Sequence, residues 1–271
     1  MTRTELRDAL KAFQVEHGIS STRRVLDLYA VRQLLVRLQR TRHADRFKLK
    51  GGMYVGAVLE DYHRTTRDAD LLDRGRADPD EIRAVFKEVV AVELDDDVSF
   101  NKLETRIATR DVDGYDGVKV EHSARVAGQF ATASVDIGYG DAVVPDGEEI
   151  EVPPLFEGGD ELIIPAYSVE AFLAEKTETV MSGFPGKTMK RLKDFYDIAV
   201  LIRSWSRSIR GETLVAAFRP TFERRKAAPD PSVFTDIREL VDEDALSWLV
   251  PELKEPPPPP EYPPRHSSSY T

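Results

Sequence analysis

A strand that carries a carboxylate at every second position cannot bury both of its faces, and Arg67-Asp68-Ala69-Asp70-Leu71-Leu72 is such a stretch. Successive strand side chains point to opposite faces, so Asp68 and Asp70 share one face while Ala69 and Leu71 share the other. Two like charges so close repel unless a cation lies between them. Oxygen ligands suit Mg²⁺, with Mn²⁺ the alternative, and Mg²⁺ keeps part of its shell for substrate phosphates. The pair therefore predicts a site for a metal-bound, phosphate-bearing ligand. Asp95-Asp96-Asp97 and Asp111-Val112-Asp113 repeat the spacing in turn-like surroundings and read as solvated loops.

Other residues extend this site. Gly51-Gly52 precedes a small apolar helix from Met53 to Leu59. Glycines that open a helix let backbone N–H groups approach a triphosphate at the positive helix end. Asp136 lies in the apolar strand Ala133-Ser134-Val135-Asp136-Ile137-Gly138. A carboxylate there is costly unless it is paired or bound to metal, or unless the strand is an edge with Asp136 facing solvent. Asp68, Asp70 and Asp136 together would hold two metals around an in-line phosphoryl transfer. Lys176 follows Glu175 on a helix made apolar on one side by Val169, Phe172 and Leu173. It could reach triphosphate oxygens, or form a surface charge pair. Between Lys187 and Asp197, residues Lys190, Arg191 and Asp194 share a helical face that Asp197 extends, and Lys193 and Asp197 are spaced i,i+4. A salt-bridged helix with Phe195 in the core accounts for the same spacing.

Composition narrows the class. The chain has 271 residues, 41% hydrophobic and 32% charged, which suits a globular body. It contains no cysteine, hence no disulfide framework and no thiolate ligand or nucleophile. No apolar run approaches the ~20 residues that span a bilayer. The charged start, Met1 to Lys11, has no signal-peptide core, so a cytoplasmic protein without membrane partners is expected. Net charge is −10, yet residues 1–50 carry 12 Lys/Arg against 5 Asp/Glu, and residues 187–226 carry 11 against 4. If those segments meet they form a positive face; otherwise they are ordinary solvated helices.

Periodicity gives a mixed α+β layout over 1–150, a helical unit over 151–250, and a Pro-rich, disordered tail over 251–271. Helices are expected over about 2–17, 22–42, 79–91, 168–181, 187–204, 211–218 and 231–248. In the second helix Val25, Leu26, Tyr29, Ala30, Leu34, Leu35 and Leu38 form a core stripe, and Arg23, Arg24, Arg32, Arg37, Arg40 and Arg42 lie on its other face. Strands are expected at 67–72, 118–121 and 133–137, with turns at Asp113-Gly114 and Asp116-Gly117.

Five short segments in order resemble the AbiEii/AbiGii abortive-infection toxin family, which includes the MenT-type toxins. They are Leu49-Lys50-Gly51-Gly52, Arg67-Asp68-Ala69-Asp70-Leu71, Val135-Asp136-Ile137, Ala174-Glu175-Lys176 and Arg191-Leu192-Lys193-Asp194-Phe195-Tyr196-Asp197. The chain departs from that pattern at Met53, where the family often has serine or threonine. The resemblance implies a polymerase-β-like nucleotidyltransferase core with a helical C-terminal half. It implies Asp68 and Asp70 as metal ligands, with Lys176 and Asp194 or Asp197 completing the site. It also implies a toxin of a type IV toxin–antitoxin system, restrained by a cognate antitoxin. Some relatives modify the tRNA 3′ end and so stop translation. The expected reaction moves NMP from a nucleoside triphosphate to an RNA acceptor. Phosphates would lie against Gly51-Gly52, with Lys176, Arg191, Lys193 and Asp197 in the nucleotide site and Asp136 as base or second-metal bridge. The alternatives are a small-molecule or protein acceptor, and a non-catalytic nucleotide-binding partner.

Overall fold

The computed structural model describes residues 1–60, 66–109, 116–182, 188–205, 209 and 211–224, with backbone alone at 108–109, 116 and 188–193. The chain begins with α1 (Arg3–Glu16), started by a capping box in which the Thr2 hydroxyl accepts from the Glu5 N–H while Glu5 accepts from the Thr2 N–H. Next come α2 (Thr22–Gln39), β1 (Phe47–Lys50), α3 (Gly51–Leu59) and β2 (Asp68–Asp73). Helix α4 (Pro79–Val90) has Pro79 in its first turn and Asp78 accepting from two backbone N–H groups. Strands β3 (Val98–Thr109), β4 (Asp116–Val126) and β5 (Gln129–Tyr139) follow. A ribbon of β6 (Glu149–Glu151) and β7 (Ile163–Pro165) leads to the helices α5 (Val169–Ser182), α6 (Thr188–Trp205) and α7 (Gly211–Arg224).

The five long strands form one sheet in the order β1-β2-β5-β4-β3, antiparallel except for the β2–β5 pair. Strand β5 is thus central, so Asp136 is not on an edge strand. A two-residue turn joins β4 to β5, with Ala127 at φ 49° and Gly128 at φ 78°. Positive φ at both positions matches the right-handed twist of the flanking strands. Ala69, Leu71, Val118, Val120, Ala133, Val135 and Ile137 are nearly inaccessible to solvent and form the sheet's core side. Helix α2 packs there against β5, and α4 against β3. The other side carries α3 over β2, and α5 packs on α6 and α7.

Several expectations change. Helix α2 is buried on every side from Val25 to Leu38, so it has no basic outer face there. Arg32 gives its guanidinium to the carbonyls of Val152, Pro153 and Asp160. Arg37 forms a two-point ion pair with Asp96 at 2.6 and 3.0 Å, with side chains 4% and 2% exposed. Asp96 is therefore a buried clasp and not a solvated loop residue. Arg23 pairs with Asp27, Arg40 with Asp160 and Arg42 with Glu88. Asp116-Gly117 opens β4 in place of the expected turn, which forms at Ala127-Gly128. Helix α3 starts at Gly51, two residues early, and α7 runs through Pro220 to Arg224. Asp113-Gly114, the helix expected over 231–248 and the Pro-rich tail lie outside the described residues.

Candidate active site

Strand register assembles the site. Lys50 of β1 lies opposite Asp70 of β2, Asp70 beside Asp136 of β5, Asp136 opposite Lys119 of β4, and Lys119 opposite Arg106 of β3. Residues paired across a sheet point to the same face. A row of charge therefore crosses all five strands on the side away from the core, with two neighbouring carboxylates, Asp70 and Asp136, flanked by cations on both sides. Asp68 stands one pleat away from Asp70 on the same face, beside Ser134.

Asp70 is held where a side chain on residue 51 would be. Gly51 has φ 68°, and a Cβ there would lie 1.9 Å from Asp70 Oδ2 and 2.6 Å from Asp70 Cβ. Only a residue without a side chain permits this approach, and glycine also tolerates the left-handed backbone. The carboxylate thus sits against the first residue of α3, next to the positive end of the helix. Asp68 accepts a hydrogen bond from the Thr66 hydroxyl at 2.7 Å. Asp136 accepts from Lys119 Nζ at 3.1 and 3.3 Å, with side chains 24% and 19% exposed.

A second cluster stands on the helices. Lys176 of α5 donates to Asp194 of α6 at 2.7 Å, and Asp197 lies 3.8 Å away. Both aspartates are buried. Glu175 and Lys176 therefore do not form a surface charge pair: Glu175 turns the other way and accepts from Lys50 Nζ at 3.0 and 3.2 Å. Lys50 also donates to Asp141 at 2.6 Å, and Asp141 accepts from the Tyr167 hydroxyl. Buried Lys50 thereby joins the strand beside Asp70 to the helix that carries Lys176. The rings of Tyr54 on α3 and Phe172 on α5 are 5.1 Å apart, which ties the glycine helix to the same helix. Arg191 and Lys193 are on α6, but their side chains lie outside the described residues.

The donor set suits a hard divalent cation: carboxylate oxygens on neighbouring strands, with no sulfur. Two observations support the fit. Asp70 is cradled where a Cβ would clash, and the buried Ser134 hydroxyl, beside Asp68, has no hydrogen-bond partner among the described residues. Among the described residues, no three acidic or histidine side chains yet converge on one point. Asp136 turns to Lys119 and Asp68 to Thr66, so a shared cation would draw both side chains away from their present partners.

Comparison with known proteins identifies the family. A family model described as nucleotidyl transferase AbiEii toxin, type IV TA system, matches residues 33–264. The chain belongs to the AbiEii family. This AbiEii-family chain is accordingly a nucleotidyltransferase and the toxin of a toxin–antitoxin system, with a nucleoside triphosphate as donor and an antitoxin as partner. The enzymatic reading thus replaces the non-catalytic one. No curated protein matches the chain. Among solved structures, JHP933 from Helicobacter pylori is 15% identical, with 84% of this chain and 99% of that one covered at a TM-score of 0.36. A candidate nucleotidyltransferase from H. pylori is also 15% identical, over 80% of this chain and 97% of that one, at a TM-score of 0.32. No described helix is long and apolar enough to cross a membrane.

Sequence reasoning passed over Lys119 and gave no role to Lys50 and Glu175, although both stand within the family-like segments. Lys119 was recoverable: a two-residue turn at 127–128 fixes the β4–β5 register and sets Lys119 opposite Asp136. Lys50 and Glu175 carried no local signal, since they are 125 residues apart.

Proposed function

We propose that this AbiEii-family chain transfers a nucleoside monophosphate from a nucleoside triphosphate to the 3′ end of an RNA in the cytoplasm. The tRNA acceptor end is the expected target, and its modification would stop translation. The observation that best supports this is the registered Asp70–Asp136 pair, with Asp70 packed on Gly51 at the head of α3. Asp68, Asp70 and Asp136 would hold Mg²⁺, with Mn²⁺ the alternative. When bound, the metal neutralises triphosphate charge and lowers the cost of the developing charge at the α-phosphate.

The chain's own residues do the rest. The N–H groups at the start of α3 point at the phosphates from the positive helix end. Lys176, steadied by Asp194 and Asp197, offers positive charge to the leaving pyrophosphate. Arg191 and Lys193 would add to it. Asp136 would serve in one of two ways: turned from Lys119 it would help hold the metal, and kept in place by Lys119 it would take the proton from the attacking hydroxyl. The O–P bond to the incoming hydroxyl forms as the bond to pyrophosphate breaks.

A second reading, transfer to a small molecule or protein, draws support from the fate of the N-terminal basic segment. Arg32, Arg37, Arg46, Lys48 and Lys50 are engaged in internal bonds and cannot grip a backbone. The test is transfer by Asp68→Ala, Asp70→Ala and Asp136→Ala on total RNA, before and after periodate oxidation of RNA 3′ ends. Loss in every variant, and loss on oxidised RNA, is expected. Wild-type rates in either Asp68→Ala or Asp70→Ala would remove the site assignment, and unchanged labelling of oxidised RNA would remove the 3′-end acceptor.

A further inference from the structure

The arginines left over from the internal clasps are not scattered. Arg3 and Arg7 of α1 both reach the β4–β5 turn, with guanidinium nitrogens 3.5 Å from where a Gly128 Cβ would lie. Arg7 donates to the Ala127 carbonyl at 2.6 and 3.1 Å, and Arg125 donates to the Gly128 carbonyl at 3.1 Å. Three guanidinium groups thus converge on one turn, where a single carboxylate, Asp97, pairs with Arg3. Arg7 and Arg125 form no ion pair among the described residues, although Asp97 also feels the charge of Arg7.

Beside this cluster stands Phe130, a large apolar side chain 65% exposed on a strand. The Arg125 guanidinium lies over its ring, 4.1 Å from the centroid. Phe130 pairs with Arg125 across the sheet, and both point to the same face as Asp136 and Lys119, because Phe130, Thr132, Ser134 and Asp136 alternate along β5. Six residues of strand separate Phe130 from Asp136, roughly 20 Å at the usual strand rise. An exposed aromatic ring backed by guanidinium groups is the recurring means of binding unpaired nucleotides: the ring stacks on a base and the cations meet phosphates.

We propose that the single-stranded end of the acceptor RNA tracks over Phe130 and Arg125, which form its stacking platform on the same face of the sheet as Asp136. The inference rests on the RNA-acceptor reading above and adds where that acceptor binds. Positive charge from Arg3, Arg7 and Arg125 complements the RNA backbone.

The test uses a fluorescein-labelled, unstructured RNA oligonucleotide and total tRNA, with the full chain and Phe130→Ala, Phe130→Trp and Arg7→Gln variants. Phe130→Ala should weaken oligonucleotide binding roughly 5- to 150-fold, the effect of one lost base stack. Because Phe130 is mostly exposed, its thermal unfolding should stay at the wild-type value. Phe130→Trp should keep binding, and its added indole emission should be quenched on saturation with RNA, which a purely structural role would not produce. Arg7→Gln should reduce the salt slope of binding by about 0.7. Wild-type affinity in Phe130→Ala, with no quenching in Phe130→Trp, would overturn the track while leaving RNA transfer standing. Wild-type protein that binds neither RNA would overturn the RNA acceptor and the track together.

Discussion

Substituting Gly51 by alanine tests the contact on which the site is built. The new methyl group would lie 1.9 Å from Asp70 Oδ2, 2.5 Å from its Cγ and 2.6 Å from its Cβ. A side chain at φ 68° costs about 1–2 kcal/mol in its own right. Crowding in a packed site adds about 1–3 kcal/mol. The sum, about 2–5 kcal/mol, is less than most domains' stability, so a folded but displaced site is expected. Gly18 provides the control, since it has φ 62° and nothing within 4 Å of a Cβ. Gly18→Ala carries the backbone term alone. Urea unfolding of both variants should show Gly51→Ala less stable than Gly18→Ala by about 1–3 kcal/mol. Nucleotidyl transfer by Gly51→Ala should fall to the level of Asp70→Ala, while Gly18→Ala keeps the wild-type rate. Replacing Asp70 by glycine in the Gly51→Ala background should recover the crowding part of the loss but not the backbone part, because the three nearest clashing atoms belong to the Asp70 side chain. Equal stability of the two alanine variants, together with full transfer by Gly51→Ala, would refute the reasoning.

Three further outcomes follow from the structure. Arg37→Met leaves Asp96 buried without its partner and removes bonds to the carbonyls of Gln33, Val92 and Val98; urea unfolding should show a loss of about 3–5 kcal/mol. Burial holds the His122 pKa below its ordinary value, although a hydrogen bond to the Asn101 carbonyl pulls the other way. The unfolded chain therefore binds the proton more readily: this stability is present above about pH 6.5 and is lost as pH falls toward the lower folded value. His122→Phe should show a smaller loss of unfolding free energy on acidification than wild type, and an unchanged pH slope would contradict the assignment. Lys176→Ala should lose transfer with little change in RNA binding, whereas binding lost in step with transfer would place Lys176 on the acceptor and not on the triphosphate.

The parts of the fold that local chemistry determines were legible. The helices expected over about 2–17 and 79–91 are present as α1 and α4. Alternation in Asp68-Ala69-Asp70-Leu71 assigned a strand with an acidic face, and the structure has one there. What periodicity misread is α2. Its arginines recur like a solvent face, yet Arg32 is buried because carbonyls about 120 residues away, at Val152 and Pro153, accept its protons. A polar residue in a helical pattern reports polarity, not exposure, when a distant loop supplies the partners. The same limit hid Lys50, whose carboxylate partners Asp141 and Glu175 are 91 and 125 residues along the chain. The acidic residues of the candidate site were nameable because each is anomalous in an apolar strand. Their counter-ions were not, because a lysine between valines, as in Val118-Lys119-Val120, is ordinary on an amphipathic strand.

The most direct measurement is parallel incubation of the purified protein, Mg²⁺ and total RNA with each nucleoside triphosphate labelled with ³²P at either the α- or the γ-phosphate, with Asp70→Ala as control. The account predicts α-label in tRNA-sized RNA, no γ-label, and neither with Asp70→Ala. Label from the γ-phosphate, or equal α-labelling by Asp70→Ala, would contradict nucleotidyl transfer at the Asp68–Asp70–Asp136 face.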